Sequence, residues 1–160
     1  MANNIIHLPD GGTLKVPEGV TNVKVETPEG YFKPEHIPTT IADIRVGDIF
    51  HCHWGATMAM NDYYKVVKRT AKTVTLRKLC DRQRGEGFLC GKQYPIDEYE
   101  DYSNMYCGHR KEYPDGKVYC EMTKKLPDSL DKDGKIWVKI SDYQWASPWD
   151  GRMDHFDYCD

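Results

Sequence analysis

The sequence predicts a mainly β protein: a small β-barrel or strongly twisted antiparallel sheet with an N-terminal hairpin extension and at most short helices. Short runs of alternating apolar and polar residues, separated by turn residues, recur along the 160-residue chain. Few stretches longer than about eight residues lack Pro, Gly or a strand-like alternation. The spacing of these short strands favours a barrel or a twisted sheet over a helical fold.

The first 43 residues are expected to form a hairpin and a linker. The turn sequences Pro17-Glu18-Gly19 and Pro28-Glu29-Gly30 separate strand-like runs at 13–16 and 22–26, because Pro presets φ and Gly accepts conformations that other residues resist. Thr39 or Thr40 is placed to cap one short helical turn. Residues 44–160 are then the β-rich core domain, with an acidic C-terminal tail.

Two segments predict which side chains face the core. In 49–54, Phe50, Cys52 and Trp54 share one face of a strand by the period of two and are expected to point inward. In 135–140 the same alternation places Ile136, Val138 and Ile140 inside and Trp137 outside. The following segment, 143–145, is expected to extend or pair with that strand.

The clearest local prediction is an antiparallel hairpin formed by 62–68 and 72–79. Both segments are rich in β-branched and aromatic residues and are separated by a three-residue turn. Beyond it, from 80 to 119, the alternation weakens and Gly residues accumulate. We expect a long loop there, and such loops are either functional or mobile.

Composition excludes several functional classes. No run approaches the roughly 20 apolar residues of a membrane-spanning helix, and the first residues lack the pattern of a secretion signal, so a cytoplasmic protein is expected. The six cysteines form no Cys-x-x-Cys pair and are expected to be thiols. No phosphate loop or dinucleotide glycine pattern is present. Cys107 and His109, two residues apart, do not by themselves indicate a hydrolase, so the chain is expected not to be an enzyme.

Part of the sequence resembles small proteins of bacterial phages and plasmids that have no agreed activity. The resemblance rests on Val46–Phe50, on Trp54-Gly55, on Asp62–Arg77 and on Trp149-Asp150-Gly151. It implies a mobile-element origin and a site of action in the bacterial cytoplasm. It carries no catalytic residues over to this chain.

Charge is distributed unevenly although the net charge is only −3. A basic surface is predicted on the hairpin at 62–84, where positive side chains could follow phosphates and exposed rings could stack on bases. The candidate residues for binding nucleic acid or a partner are Tyr63, Lys65, Lys68, Arg69, Lys72, Arg77, Arg82 and Arg84. An acidic surface is predicted at Asp97, Glu98, Glu100 and Asp101, with further carboxylates in the tail.

These surfaces support two functions. The leading hypothesis is a phage- or plasmid-type accessory protein that binds and inhibits a host protein, such as a nucleic-acid-targeting defence complex, in the manner of an anti-CRISPR. Its acidic surface would occupy the basic groove of the target. The alternative hypothesis is a module that binds nucleic acid directly through the basic hairpin.

A zinc-binding protein or a metal-dependent enzyme is the third hypothesis. His51 and His53 lie two residues apart on a presumed strand, so both rings point to one face. Cys107 with His109, or His155, could complete the nitrogen and sulfur ligands that zinc prefers. The alternative is an exposed strand face with ordinary polar rings.

Overall fold

The computed structural model describes residues 3–7, 13–20, 28–87 and 89–158. These residues form β-strands joined by turns and contain no helix, which confirms the predicted fold class. None of them belongs to a helix long and apolar enough to cross a bilayer. The strands are β1 Asn3–His7, β2 Thr13–Pro17, β3 Ile49–Trp54, β4 Met60–Arg69, β5 Thr73–Gly87, β6 Cys90–Tyr99, β7 Arg110–Glu112, β8 Val118–Lys125, β9 Val138–Ser141, β10 Gln144–Pro148 and β11 Asp154–Asp157.

The main sheet is antiparallel and has the order β11-β6-β5-β4-β3-β10-β9, with β8 paired to β5 and β7 to β8. The long strand β5 organises it. Its first part, Thr73–Arg77, pairs with β8, and its second part, Leu79–Gly87, pairs with β6. Strands β8, β5, β4, β3, β10 and β9 curl into a half-barrel, and β8 and β9 approach each other across its open side.

The core of the half-barrel contains the side chains that alternation predicted. Phe50 and Cys52 are fully buried, and Trp54 packs against the same cluster. Ile136, Val138 and Ile140 are also buried there. Trp137 is half-buried rather than outside, because its indole Nε1 donates to Asp131 Oδ2 over 2.8 Å.

The predicted central hairpin is formed by β4 and β5, with Arg69 paired to Val74 beside the turn. A bulge between Val66 and Lys68 shifts its register. The predicted partner of the 135–140 strand is also present, since β10 pairs with β9.

The expectation of a long loop from 80 to 119 was wrong over its first twenty residues. β5 and β6 continue as an antiparallel ribbon from Leu79 to Tyr99, with bulges on either side of the paired segment 81–85. The apolar alternation is missing because the side of the ribbon that packs on the half-barrel is polar. Gln93 contacts Asn61 on that side. A period-two pattern of apolar residues therefore could not reveal the strands.

The N-terminal hairpin is formed by β1 and β2, whereas the expected strand at 22–26 lies outside the described residues. The linker is tied to the core: Phe32 packs against buried Trp149 at a ring distance of 5.7 Å. At 39–43 the chain makes a turn and not a helix, and the Asp43 N–H donates to Thr40 Oγ1. The acidic tail is largely ordered too, since its residues Asp154–Asp157 form β11 against β6.

Candidate functional site

One face of the β5–β6–β11 ribbon carries four basic or ionisable side chains in register. Arg84 lies opposite Lys92, and Lys92 lies opposite His155 on β11. Arg82 lies one row nearer the half-barrel, opposite Tyr94. Residues directly opposite each other in a sheet point to the same side. We call this surface, Arg82, Arg84, Lys92 and His155, the ribbon face.

The ribbon face points away from the half-barrel. Gln93, whose side chain points to the opposite side of β6 from Lys92, donates its amide to the Asn61 carbonyl oxygen over 3.1 Å. On the outer side, Tyr94 is covered by Tyr31 at a ring distance of 5.6 Å. The N-terminal linker thus covers the base of the ribbon, and Arg82 and Arg84 beyond it are exposed.

The cations of the ribbon face have no carboxylate partner among the side chains that the structure describes. No ion pair within 4.0 Å is formed by Arg82, Arg84 or Lys92 in this part of the chain, whereas Lys65, Arg77 and Lys78 of the same hairpin are paired. The cross-strand rows lie about 6.6 Å apart along the ribbon, and neighbouring strands about 4.8 Å apart. The result is a compact group of positive charges, bordered by Asp157 on the same side of the ribbon.

The other basic candidates do not join this surface. Lys65 Nζ pairs with Asp97 Oδ1 at 2.7 Å. Arg69 donates to the carbonyl oxygens of Ile41 and Ile44, so it fastens the linker to the hairpin. Lys68 and Lys72 are exposed at the β4–β5 turn. Ten residues of strand separate Lys72 from Arg82, roughly 33 Å along β5, so the predicted basic hairpin is two separate surfaces.

Arg77 is a structural residue. Its guanidinium lies over the rings of Tyr99, Tyr113 and Tyr119 at 4.6, 5.0 and 4.5 Å and pairs with Glu121 at 2.8 Å. Cation–π contacts, together with Nε and Nη2 both directed at Glu121 Oε1, suit the planar guanidinium of arginine in this position. The guanidinium is therefore already occupied by the protein.

Tyr63 does not offer a ring for stacking on bases, because only 1% of its surface is exposed. Its ring packs against Trp149 at 6.1 Å and stacks on His51 at 5.2 Å. Its hydroxyl donates to Asp154 Oδ2 over 2.7 Å. Burial, with Asp154 as the next cause, raises the pKa of Tyr63 far above its ordinary value, so the hydroxyl stays a donor.

The predicted acidic surface is partly neutralised by the hairpin beside it. Asp97 pairs with Lys65, and Glu100 Oε2 lies 4.0 Å from Lys78 Nζ. Asp101 accepts the Ser103 hydroxyl and then the Ser103 N–H, and these bonds hold its pKa below the ordinary value. Glu98 is exposed. The four residues therefore do not present four free carboxylates.

A buried polar network links the ribbon to the half-barrel. Asn61 donates from Nδ2 to Gln93 Oε1 and to the His155 carbonyl oxygen, over 3.1 and 2.7 Å. Asn61 Oδ1 lies 2.7 Å from His51 Nε2 and 3.3 Å from His53 Nδ1. Sequence reasoning missed Asn61 and Gln93, and only the cross-strand register His53–Asn61 could have indicated that these polar groups meet.

The histidines of the zinc hypothesis do share one face, but Cys107 is on the other. Cys107 belongs to the cluster around Cys52, whose side chain points to the opposite side of β3 from His51. The structure therefore does not bring His51 and His53 together with Cys107 and His109. Within the described ranges, no group of three or more His, Cys, Asp or Glu residues is placed to hold a metal ion.

Cys107 contacts a second thiol rather than an imidazole. It hydrogen-bonds with Cys120, and burial followed by this contact raises the pKa of Cys120 to about 12. Its Sγ accepts the His109 backbone N–H over 3.4 Å, and that bond involves no imidazole nitrogen. Because a nucleophilic thiol requires an accessible thiolate, this arrangement does not favour a Cys–His hydrolase.

Comparison with protein-family models, with curated proteins and with solved structures gave no match. The protein is therefore classed by its structure alone, as an antiparallel half-barrel extended by a β-ribbon whose outer face is basic.

Proposed function

We propose that the protein binds the phosphate backbone of nucleic acid through the ribbon face. The observation that carries the proposal is the row Arg84–Lys92–His155 across three strands, with Arg82 in the next row. Guanidinium and ammonium groups are the side chains that bind phosphate best. On binding they release the counterions condensed on the backbone, which favours association.

The energetics of the free protein support this proposal. Like charges directly opposite each other destabilise a sheet by roughly 0.2–1 kcal/mol, and Arg84 and Lys92 are such a pair. Neither forms an ion pair within 4.0 Å with a described carboxylate, and Asp157 lies in the next row on the same side of the ribbon. A polyanion placed on this face relieves the repulsion, whereas a neutral partner leaves it in place.

Fluorescence polarisation with a short labelled DNA duplex, titrated between about 50 and 200 mM salt, tests the proposal. The triple variant Arg82→Gln, Arg84→Gln, Lys92→Gln is compared with Lys68→Gln, Lys72→Gln, Lys125→Gln, which removes the same charge near the β4–β5 turn. Three phosphate contacts give a slope of log affinity against log salt of about −2.7. The ribbon variant is expected to abolish this slope, and the turn variant is expected to keep it.

Two outcomes would reject the proposal. No binding at the lowest salt, to duplex or single strand, removes nucleic acid as the ligand. Loss of binding in the turn variant alone moves the interface to Lys68 and Lys72, as the sequence predicted. Arg69 is kept unchanged in both variants, because its guanidinium holds the linker.

A second candidate function is binding and inhibition of a host protein, such as a nucleic-acid-targeting defence complex. It is favoured by two exposed rings on the β9–β10 hairpin: Tyr143 is 93% exposed and Trp145 is 47% exposed. Large aromatic side chains at a surface are typical of interaction sites. Asp97 and Glu100, which the acidic competitor would use, are instead paired with lysines.

This candidate is tested by a pull-down of the tagged protein from bacterial lysate treated with nuclease. A host protein that is retained by the wild type and lost on Tyr143→Ser with Trp145→Ser supports it. Tyr106→Ser is the matched control, since Tyr106 is 92% exposed elsewhere on the surface. Partners that all disappear with nuclease count against it and for the ribbon face.

A further inference from the structure

A cavity of about 360 Å³ lies beside β3, on the opposite side of the buried polar network from the ribbon face. Its polar lining includes His51, Ser147, the carboxylates Asp150 and Asp154 and one cation, Lys135, and its apolar lining includes Pro38, Ile136 and Trp149. The volume is at the lower end of the range for small-molecule sites, which are apolar with a few directed polar groups. No part of the proposed nucleic-acid interface lines it.

The hydrogen bonds of the network determine which atom of His51 carries the proton. Asp81 Oδ2 and the Asn61 carbonyl oxygen both accept hydrogen bonds, so the Gln93 side-chain atom between them is the amide nitrogen, which donates to both. Gln93 Oε1 is therefore an acceptor. That oxygen and the His155 carbonyl oxygen fix Asn61 Nδ2 as a donor. Asn61 Oδ1 is then an acceptor, and His51 Nε2 must donate to it over 2.7 Å.

His51 Nδ1 therefore presents a lone pair in the neutral ring. No described group binds this atom, and the described residues contain no buried side-chain N or O atom without a partner. Nδ1 is thus accessible, on a side chain that is 17% exposed and lines the cavity. It is a hydrogen-bond acceptor.

Asp154 adds a second acceptor. Its Oδ2 accepts the Tyr63 hydroxyl and lies 3.6 Å from His51 Nε2, while Oδ1 has no partner among the described residues. Burial raises the pKa of this carboxyl group, and Asp150 adds to the increase. A cation in the cavity would offset the cost of ionising Asp154 there.

Two acceptors beside an apolar wall specify the chemistry of the ligand. A metal ion needs more ligands than His51 and Asp154 supply, and no described group of three is placed to bind one. A guanidinium group carries several donors in one plane and is more weakly hydrated than an ammonium group. We propose that the cavity binds an alkylguanidinium, which donates to His51 Nδ1 and Asp154 Oδ1 while its aliphatic chain packs against Pro38, Ile136 and Trp149.

The alkylguanidinium can come from a small molecule or from an arginine side chain of a peptide. Agmatine represents the first source, and N-acetylarginine methylamide represents the second. The imidazole nitrogens of His51 are observed by ¹⁵N NMR during titration with each probe, with a neutral alkylamide of similar length as the control ligand. We expect a saturable shift of the Nδ1 resonance with the guanidinium probes and none with the amide.

The substitution Asp154→Asn keeps an oxygen for the Tyr63 hydroxyl, removes the charge and places an amide donor in the cavity. Affinity for the tighter probe is expected to fall at least ~10-fold, which is about 1.4 kcal/mol. Asp142→Asn removes an equal charge from the exposed β9–β10 turn and is expected to leave the affinity unchanged. Tighter binding of agmatine assigns the small-molecule source, and tighter binding of the blocked arginine assigns the peptide.

The absence of a saturable His51 shift in the wild type overturns the proposal without any variant. Equal affinity in Asp154→Asn and the wild type overturns it as well. The DNA-binding experiment has no bearing on either result, because the ribbon variants leave the cavity lining intact.

Discussion

Arg84 lies directly opposite Lys92 in the antiparallel pairing of β5 with β6. Their side chains point to the same side of the ribbon, away from the half-barrel, and His155 follows Lys92 in the same row. Designed or natural sheets usually place opposite charges or neutral residues at such positions. The pair is therefore a local cost to stability, and an anionic partner of the kind proposed would offset it.

Arg84→Gln is expected to raise the free energy of unfolding by about 0.5 kcal/mol at low salt, because it removes a like-charge cross-strand pair. The gain should decrease as salt rises, since exposed charges are screened. Urea denaturation at several salt concentrations measures it. Lys68→Gln is the matched control, because Lys68 lies opposite neutral Thr75 and gains nothing. A loss of stability in Arg84→Gln at low salt would contradict the repulsion.

Arg77→Lys is expected to lower the free energy of unfolding by about 1–2 kcal/mol. The ammonium cannot keep the three ring contacts and the bond to Glu121 at once. Urea unfolding measures the loss. Arg84→Lys makes the same chemical change on the exposed ribbon and should stay within about 0.5 kcal/mol of the wild type. If Arg77→Lys weakens DNA binding without loss of stability, Arg77 belongs to the interface instead.

The half-barrel could be predicted from the sequence because its strands have an apolar side. Phe50 and Val138 lie in segments that alternate, and each is buried as expected. The ribbon could not be predicted in this way, since one of its sides is the polar network around Gln93 and the other is the basic ribbon face. Period-two patterns report burial of apolar side chains, and the only buried apolar pair of this kind on the ribbon among the described residues, Tyr94 and Ile96, is too short to stand out.

The site was only partly predictable for a related reason. Arg82 and Arg84 are among the predicted binding residues, but proximity in sequence groups them with Lys68 and Lys72 at the far end of β5. Lys92 and His155 join the ribbon face only through the pairing of β6 and β11. Register over such separations depends on tertiary contacts, which local sequence patterns do not encode.

Cys52 and Cys120 are expected to resist alkylation in the native protein at pH 8. Burial raises the pKa of each thiol to about 12, so only about one molecule in 10⁴ carries the reactive thiolate at that pH. Iodoacetamide labelling read by mass spectrometry measures this. Urea-unfolded protein is the control, in which both thiols should be alkylated. Labelling of Cys120 at the same rate in native and unfolded protein would contradict its burial.

The pH dependence of stability provides a test of the Asp154 environment. Because burial raises the folded-state pKa of Asp154 above the unfolded value near 3.8, the protonated group stabilises the fold. That contribution is fully present below the unfolded pKa and is lost as pH rises through the folded pKa. The stability of the wild type relative to Asp154→Asn is therefore expected to fall with rising pH and then become constant. Urea unfolding from about pH 3.5 to 7 measures it.

Asp131 provides a control for which stability is expected to change with pH in the opposite direction. Its carboxylate accepts the Lys135 backbone N–H and the Trp137 indole N–H, which lower its pKa. Its contribution is present above the unfolded pKa and is lost as pH falls, so wild type relative to Asp131→Asn should gain stability with rising pH. If the stability difference between wild type and variant changed with pH in the same direction for both variants, Asp154 would not be desolvated. The cavity would then lack the buried carboxylate on which cation binding depends.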